Sequence, residues 1–304
     1  MLVADLSDQL GNQMFAYASV KTIAMQKGYE FRFVRTENTR INDNDSRYGC
    51  EVYTIFPQTR HEFLPSLPSA VDKIWRETIT PGSTRVFSKD ALKVSDNTYM
   101  KGHFISCLYF KDHLSEVRQW FAFSEDLLSS CHEKIRHIQE THPGKRLVAV
   151  HFRVGDDYLK QGFLLQSSYW FRAAEYILQK YGRDQVIFLP FYDYRPKSGR
   201  VVNRFMKKYP CQDMRGSLVE DMCSMSLLSD LIICNSSFSA MAGLLNSVPN
   251  VQVLRPSVYP SGTSCQPTDC FPEEWTVISA RRSIRSWFAH RCMLLKGKIL
   301  KLIR

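Results

Sequence analysis

The sequence predicts an α/β fold built as two successive parallel-sheet domains, and three observations carry that expectation. A strand, a glycine-bearing turn and a helix open the chain between Met1 and Lys27. Strand and helix patterns then alternate cleanly from Leu147 to Leu254, which implies a parallel sheet covered on both faces. Between these stretches the turn residues Pro143-Gly144-Lys145 mark a boundary. A length of 304 residues suits two domains of roughly 100 to 200 residues each. We place them at 1–143 and 144–280, followed by a basic tail at 281–304.

Taken in order, Met1 to Leu6 is a strand, and Ser7 to Gln13 is the turn before a helix whose inner face holds Met14, Phe15, Ala18 and Ile23. Lys27-Gly28 is its stop, because glycine readily adopts the left-handed conformation that ends helices. Glu30 to Val34 is the next strand. The segment from Arg35 to Ser95 is polar and punctuated by proline, with weak periodicity. Its Asp43-Asn44-Asp45 has the look of a metal-binding pair of carboxylates but reads as a solvated loop. Tyr99 to Ser106 reads as a strand, and Lys111 to Phe121 and Ser124 to Glu140 as helices.

In the second half, Leu147 to Arg153 is a buried strand by its apolar run. A helix capped by Ser167 or Ser168 follows, with Tyr169, Phe171, Ala174, Ile177 and Leu178 inward. Gln185 to Leu189 is a strand, Phe191 to Tyr194 a loop, and Arg200 to Tyr209 a short helix. Ser217 and Glu220 have capping-box spacing for a helix reaching about Ser229. Leu231 to Cys234 is a strand that breaks at Asn235-Ser236-Ser237 into a helix from Phe238 to Asn246, and Val251 to Leu254 is the last strand.

With 44% hydrophobic and 23% charged residues the chain has an ordinary globular composition. The net charge of +10 suggests a nucleic-acid partner until it is located. Eight basic residues and no acidic ones lie between Arg281 and Arg304, and without them the remainder is near +2. That leaves no basic groove for a nucleic acid. In the same tail Ile284, Trp287, Phe288, Leu295, Ile299 and Leu302 share a helical face. Such a helix either lies on an anionic membrane surface or packs back on its own domain. No run approaches the apolar length of a membrane span, and the opening residues lack a secretory leader. The expected location is cytoplasmic, peripheral at the inner face of the membrane. Nine cysteines, without paired metal-ligand spacing, read as reduced buried thiols.

Three strand-to-turn segments carry the chemistry. At His151-Phe152-Arg153 a buried strand delivers an imidazole and a guanidinium to the carboxyl edge of a sheet, where ligands of open α/β folds bind. Arg153 is permanently charged and its planar fork suits two phosphate oxygens, so it is a candidate diphosphate clamp. The alternative is a structural ion pair with Asp156 or Asp157. Asn235 to Ser239 places hydroxyls and free backbone N–H groups at a helix start, which is either a plain cap or an anion site. Gly11-Asn12-Gln13 has neither the dinucleotide fingerprint nor a Walker loop.

The three in this order resemble the α-1,2-fucosyltransferases of bacterial polysaccharide synthesis, glycosyltransferase family 11. Members open with a GGLGNQMFQYA-like stretch, matched by Leu10 to Ala18. They carry an H-x-R-R-G-D-Y segment, matched by His151, Arg153, Gly155, Asp156 and Tyr158, and a D-M-x-x-M-S segment leading to N-S-S-F-S, matched by Asp221, Met222, Met225, Ser226 and Asn235 to Ser239. Pro272 and Trp275 fit the closing Pro-x-x-Trp. The resemblance implies a GT-B architecture, two Rossmann-like domains with a cleft between them, the first binding acceptor and the second GDP-β-L-fucose. It implies inverting transfer to the 2-hydroxyl of a galactose-type residue in an O-antigen or capsule repeat, on an acceptor that can be lipid-linked. It implies no cofactor and no divalent metal.

By the same match, Arg153 and the turn of Asn235, Ser236, Ser237, Phe238 and Ser239 meet the charge developing on the β-phosphate. Gly11, Asn12 and Gln13 reach the cleft from the opposite domain, with Asn12 close to the reacting centre, and His151 and Asp221 position the donor. Asp156 is the candidate base for the acceptor hydroxyl, or else holds Arg153 in orientation. The chain departs from the pattern at Asp8-Gln9, where the family has paired glycines, and at Val154, where it has a second arginine. Asp157 is inserted before the tyrosine. Ala240-Met241 replaces two tryptophans, and Leu189 to Tyr192 a Ser-Asp-Asp run. These changes fall around the donor and acceptor pockets.

Overall fold

The computed structural model describes residues 1–34, 51–78, 87–155, 157–158, 162–192, 199–261, 264–266 and 269–280. Asp43 to Asp45, Asp156 and the tail from Arg281 to Arg304 lie outside these residues.

The first sheet contains β1 (Leu2–Asp5), β2 (Phe31–Val34), β3 (Phe63–Leu64), β4 (Lys73–Arg76) and β5 (Thr98–Lys101), in the order β3-β2-β1-β5-β4 with every pairing parallel. The second contains β6 (Arg146–Phe152), β7 (Val186–Tyr192), β8 (Asp230–Ile232), β9 (Gln252–Pro256) and β12 (Thr276–Ile278), in the order β12-β9-β8-β6-β7, also parallel. A small antiparallel ribbon, β10 (Tyr259–Ser261) with β11 (Ser264–Gln266), lies between β9 and β12 in the chain. The α/β class with two parallel sheets is thus as expected. Apolar runs in β1, β6, β7 and β8 are buried almost without alternation, because helices cover both faces.

The helices are α1 (Leu10–Lys27), α2 (Glu51–Ile55), α3 (Leu114–Trp120), α4 (Glu125–Thr141), α5 (Ser168–Tyr181), α6 (Arg200–Lys208), α7 (Leu218–Ser226) and α8 (Ser237–Leu245). α1 is buried from Leu10 to Ala24 except at Asn12, so it shows no polar face. It stops where Gly28, at φ 67°, turns its N–H back to the carbonyls of Ala24 and Met25. The Ser217–Glu220 capping box on α7 is present in both directions. One buried cluster runs from Leu2 and Phe15 through Leu147 to Leu231 and Phe271, and joins the two sheets. Among the described residues no helix is long and apolar enough to cross a membrane.

Several boundaries differ from expectation for identifiable reasons. α1 begins at Leu10, so Gly11, Asn12 and Gln13 form its first turn and do not precede it. Asp8, at φ 66°, completes the reversal before them. β5 stops at Lys101 because the next N–H groups, of His103 and Phe104, bond the Glu77 carboxylate. β7 continues through Pro190 to Tyr192. It is an edge strand whose Phe188 turns its N–H outward to Pro210 O, and two residues on Pro190 faces the same way, so its missing donor costs the sheet nothing. α7 ends at Ser226, where the Asn246 side-chain amide donates to the carbonyls of Met225 and Leu228. The short strands β3 and β4 fall in the segment that carried no legible pattern.

Candidate functional site

Each sheet has one place where the strand order reverses. In the second sheet β6 is flanked by β7 and β8, the 2-1-3-4-5 arrangement whose switch point opens at the carboxyl ends of its first and third strands. Those ends are His151-Phe152-Arg153 after β6 and Asn235 to Ser239 after β8. In the first sheet β1 is flanked by β2 and β5, so the reversal lies between the carboxyl ends of β1 and β5. Asp8 from one side and His103 from the other meet there, with Nε2 2.5 Å from Asp8 Oδ2.

The turn before α1 is held by its own polar side chains. Asn12 Nδ2 donates to Asp8 Oδ2 at 2.9 Å, and Gln13 Nε2 to Asp8 O at 2.9 Å. Gln13 is fully buried, and its Oε1 accepts the Val52 N–H at 3.2 Å, tying α1 to α2. Asp8 itself adopts a left-handed backbone where the resembling family has glycine, a conformation aspartate tolerates better than most residues.

On the opposite side, burial and then the nearby Arg153 charge lower the His151 pKa to about 3, so its imidazole is neutral. Its Nδ1 lies 3.1 Å from Cys234 Sγ, its carbonyl accepts from Trp170 Nε1, and its ring packs against Phe238. Arg153 is mostly buried, donates to Asp157 Oδ2 at 2.5 Å and stacks over the Tyr158 ring. The Tyr158 hydroxyl donates to Asn235 O at 3.1 Å, and Asn235 Nδ2 to Phe163 O at 2.8 Å. The structure therefore contains the ion pair considered as the alternative for Arg153, with Asp157 as partner. Ser236 is the N-cap residue of α8 and its side chain makes no capping bond. Ser239 Oγ accepts from Cys234 N and donates to Ser236 O, which bends the turn onto the helix.

The two switch points meet head to head. A Cβ on Gly11 would lie 2.3 Å from Phe238 N and 2.5 Å from Ser237 C, so only glycine lets the first turns of α1 and α8 touch backbone to backbone. Beside that contact the Ser237 hydroxyl donates to Asn12 Oδ1. Gly11, Asn12, Gln13, His151, Arg153, Asn235, Ser236, Ser237, Phe238 and Ser239 are thereby gathered from three distant segments. An anion here would meet a guanidinium and the positive end of α8.

Asp221 belongs to a neighbouring group. Its Oδ1 accepts the Gly216 N–H at 2.8 Å, and burial raises its pKa to about 6. Arg215, paired with Asp213 at 2.8 Å, stacks 4.0 Å over Tyr192 at the end of β7. Tyr192 is in register with Phe152, so this group stands one strand outward from Arg153.

Two site residues were not anticipated. His103 could have been found as a histidine just past a parallel strand. Glu51 could not, because it opens α2 within the polar segment without any motif. Its carboxyl accepts the Leu10 N–H, the first of α1, while Oε2 is buried with no hydrogen-bond partner among the described residues. Burial raises its pKa to about 7 against that bond.

No protein-family model matches the sequence, and no curated protein matches it. Solved structures do. POFUT1 in complex with GDP-fucose is 12% identical, with 84% of this chain and 97% of that chain covered at a TM-score of 0.48. Fucosyltransferase NodZ from Bradyrhizobium is 15% identical, with 80% and 91% covered at 0.44. A glycosyl transferase of family 9 from Veillonella parvula is 11% identical, with 96% and 88% covered at 0.43.

Proposed function

We propose that the chain transfers L-fucose from GDP-β-L-fucose to the 2-hydroxyl of a galactose-type acceptor, with inversion and without a divalent metal. The observation that supports this most is the convergence of the three motif segments on two facing switch points, joined at Gly11 and Phe238. In this reading the half after Pro143 holds the diphosphate and the first half presents the acceptor. As the sugar–phosphate bond breaks, negative charge gathers on the β-phosphate. Arg153 and the N–H groups opening α8 stabilise it, and the Tyr158 ring and Asp157 hold the guanidinium in place. Asn12, fixed by Asp8 and Ser237, stands at the meeting point of the halves. His151, neutral and buried, shapes the wall without adding charge.

A related transferase taking another nucleotide sugar is the second reading. Its support is Val154, buried in the core of the second half where the resembling family has an arginine.

The test is turnover of GDP-fucose against galactosyl acceptors, with and without EDTA, beside a panel of other nucleotide sugars. We expect EDTA-insensitive release of GDP with a fucosylated product. Arg153→Ala should lower transfer about 100-fold or more in a folded protein, and Arg153→Lys should restore little because it lacks the fork. Activity of Arg153→Ala within a few-fold of wild type would remove the clamp, and turnover of a different donor would select the second reading.

A further inference from the structure

The transfer requires a group that removes the acceptor hydroxyl's proton, and the carboxylates around the junction differ sharply in what already engages them. Asp8 is bound by His103 and Asn12. Asp157 is paired with Arg153, and Glu77 holds two backbone N–H groups after β5. Asp221 takes the Gly216 N–H in the group around Arg215. His151 is too weak a base when burial keeps it neutral. At Glu51 one oxygen accepts the first N–H of α1, and among the described residues the other, Oε2, is buried without a hydrogen-bond partner. Leu10, which anchors it, immediately precedes Gly11, the residue in backbone contact with α8.

We propose that Glu51 is the catalytic base, with Oε2 taking the acceptor proton at the junction of α1 and α8. The inference rests on the transfer reading above. In the step, the acceptor O–H bond breaks with its proton passing to Glu51 Oε2. The freed oxygen pair forms the bond to the sugar's anomeric carbon. The bond from that carbon to the β-phosphate oxygen breaks, and its electron pair leaves on GDP. Solvent then takes the proton from Glu51.

The local electrostatics suit the task. Among the described residues the elements packed against α2 include α1, the 3-10 helix Pro57–Glu62 and, through Tyr53 on Phe63, β3, which carries no titratable group. The titratable groups are Tyr17, Lys21 and Lys27 on α1, and Arg60, His61 and Glu62 on the 3-10 helix. Lys21, Tyr17 and Glu62 satisfy one another in a buried cluster. Arg60 is turned onto Tyr53. Burial, and after it the Leu10 N–H, therefore set the Glu51 pKa at about 7. A base titrating there is about half ionised at neutral pH and strong enough to accept a proton.

Transfer by wild type, Glu51→Gln and Glu51→Asp should be followed across pH, with GDP affinity measured on each. Glutamine keeps the acceptor for Leu10 N–H and loses only the base. We expect wild-type kcat/KM to fall on the acid side with a midpoint near 7. Glu51→Gln should lose about 100-fold or more and lose that limb, with GDP affinity within threefold and partial rescue by Glu51→Asp. A Glu51→Gln rate within threefold of wild type, with the limb intact, overturns the role while leaving the transfer reading in place. Joint loss of GDP affinity and rate assigns Glu51 to holding the junction and also overturns it. Absence of transfer by wild type with every donor overturns the reading and the role together.

Discussion

At Gly11 a single hydrogen in place of a methyl decides whether the two halves can touch. In an ordinary helical position alanine would stabilise by about 1 kcal/mol over glycine. Here the added carbon would meet the α8 backbone at 2.3 Å, and backbone cannot step aside as a side chain can. Gly11→Ala should therefore destabilise, by about 2 kcal/mol or more, and weaken GDP binding with it. Urea unfolding and GDP titration check this, and a stabilised variant would remove the close contact from the account. The residue scale also shows how much of the site was legible. Arg153 and the Asn235 turn stood out because a diphosphate favours a guanidinium and N–H groups at strand ends, whereas Gly11 and Asn12 entered only through the resemblance of Leu10 to Ala18 to a family motif. Glu51 was hidden because its meaning lies in burial beside a distant helix start, and no local spacing records that. Gln13 was legible as a motif residue, yet its amide is spent on Asp8 and Val52, a role visible only once α2 is in place.

At the scale of elements the sequence was readable wherever local rules agree with tertiary ones. The second sheet follows from its apolar runs, and α7 from its capping box. The failures have the opposite character. β4 reads Lys-Ile-Trp-Arg with Ile74 exposed, an edge strand that needs no apolar pattern to pair. β7 passes through a proline that ordinarily ends a strand, because only the unpaired edge loses a donor. The α7 cap offers a measurable check on local reasoning. Ser217 Oγ accepts from Glu220 N while Glu220 Oε2 accepts from Ser217 N at 2.7 Å, and Lys134 of α4 also reaches Glu220 at 2.6 Å. Ser217→Ala removes one of these bonds and should cost about 1 kcal/mol. Glu220→Ala removes the other half of the box and the tie to α4 together and should cost more. Denaturant midpoints for the two variants decide it, and equal losses would show that the tie to α4 contributes nothing.

For the molecule as a whole, two sheets with separate strand orders suggest two units that could unfold one after the other, but the contacts between them argue for a single unit. Leu2 and Phe15 share a buried cluster with Leu231 and Phe271. Arg118 of α3 donates to the carbonyls of Leu244 and Asn246, satisfying the end of α8 across the join. Asp269 accepts the Phe87 N–H at 2.7 Å, and its carbonyl accepts from Ser106. Removing either half would expose the apolar cluster that the two share to water, a cost comparable to the margin by which most domains are stable. Calorimetry should accordingly give one transition with equal calorimetric and van't Hoff enthalpies. GDP is held in the proposed reading mainly by residues of the second half, yet it should move that whole transition. At about 100 times its dissociation constant the ligand adds about 2.7 kcal/mol, a shift of roughly 4 °C for a chain of this size. Two transitions, with GDP raising only one of them, would mean that Gly11 and Phe238 are in contact without energetic coupling, and that the site is assembled from independently folding halves.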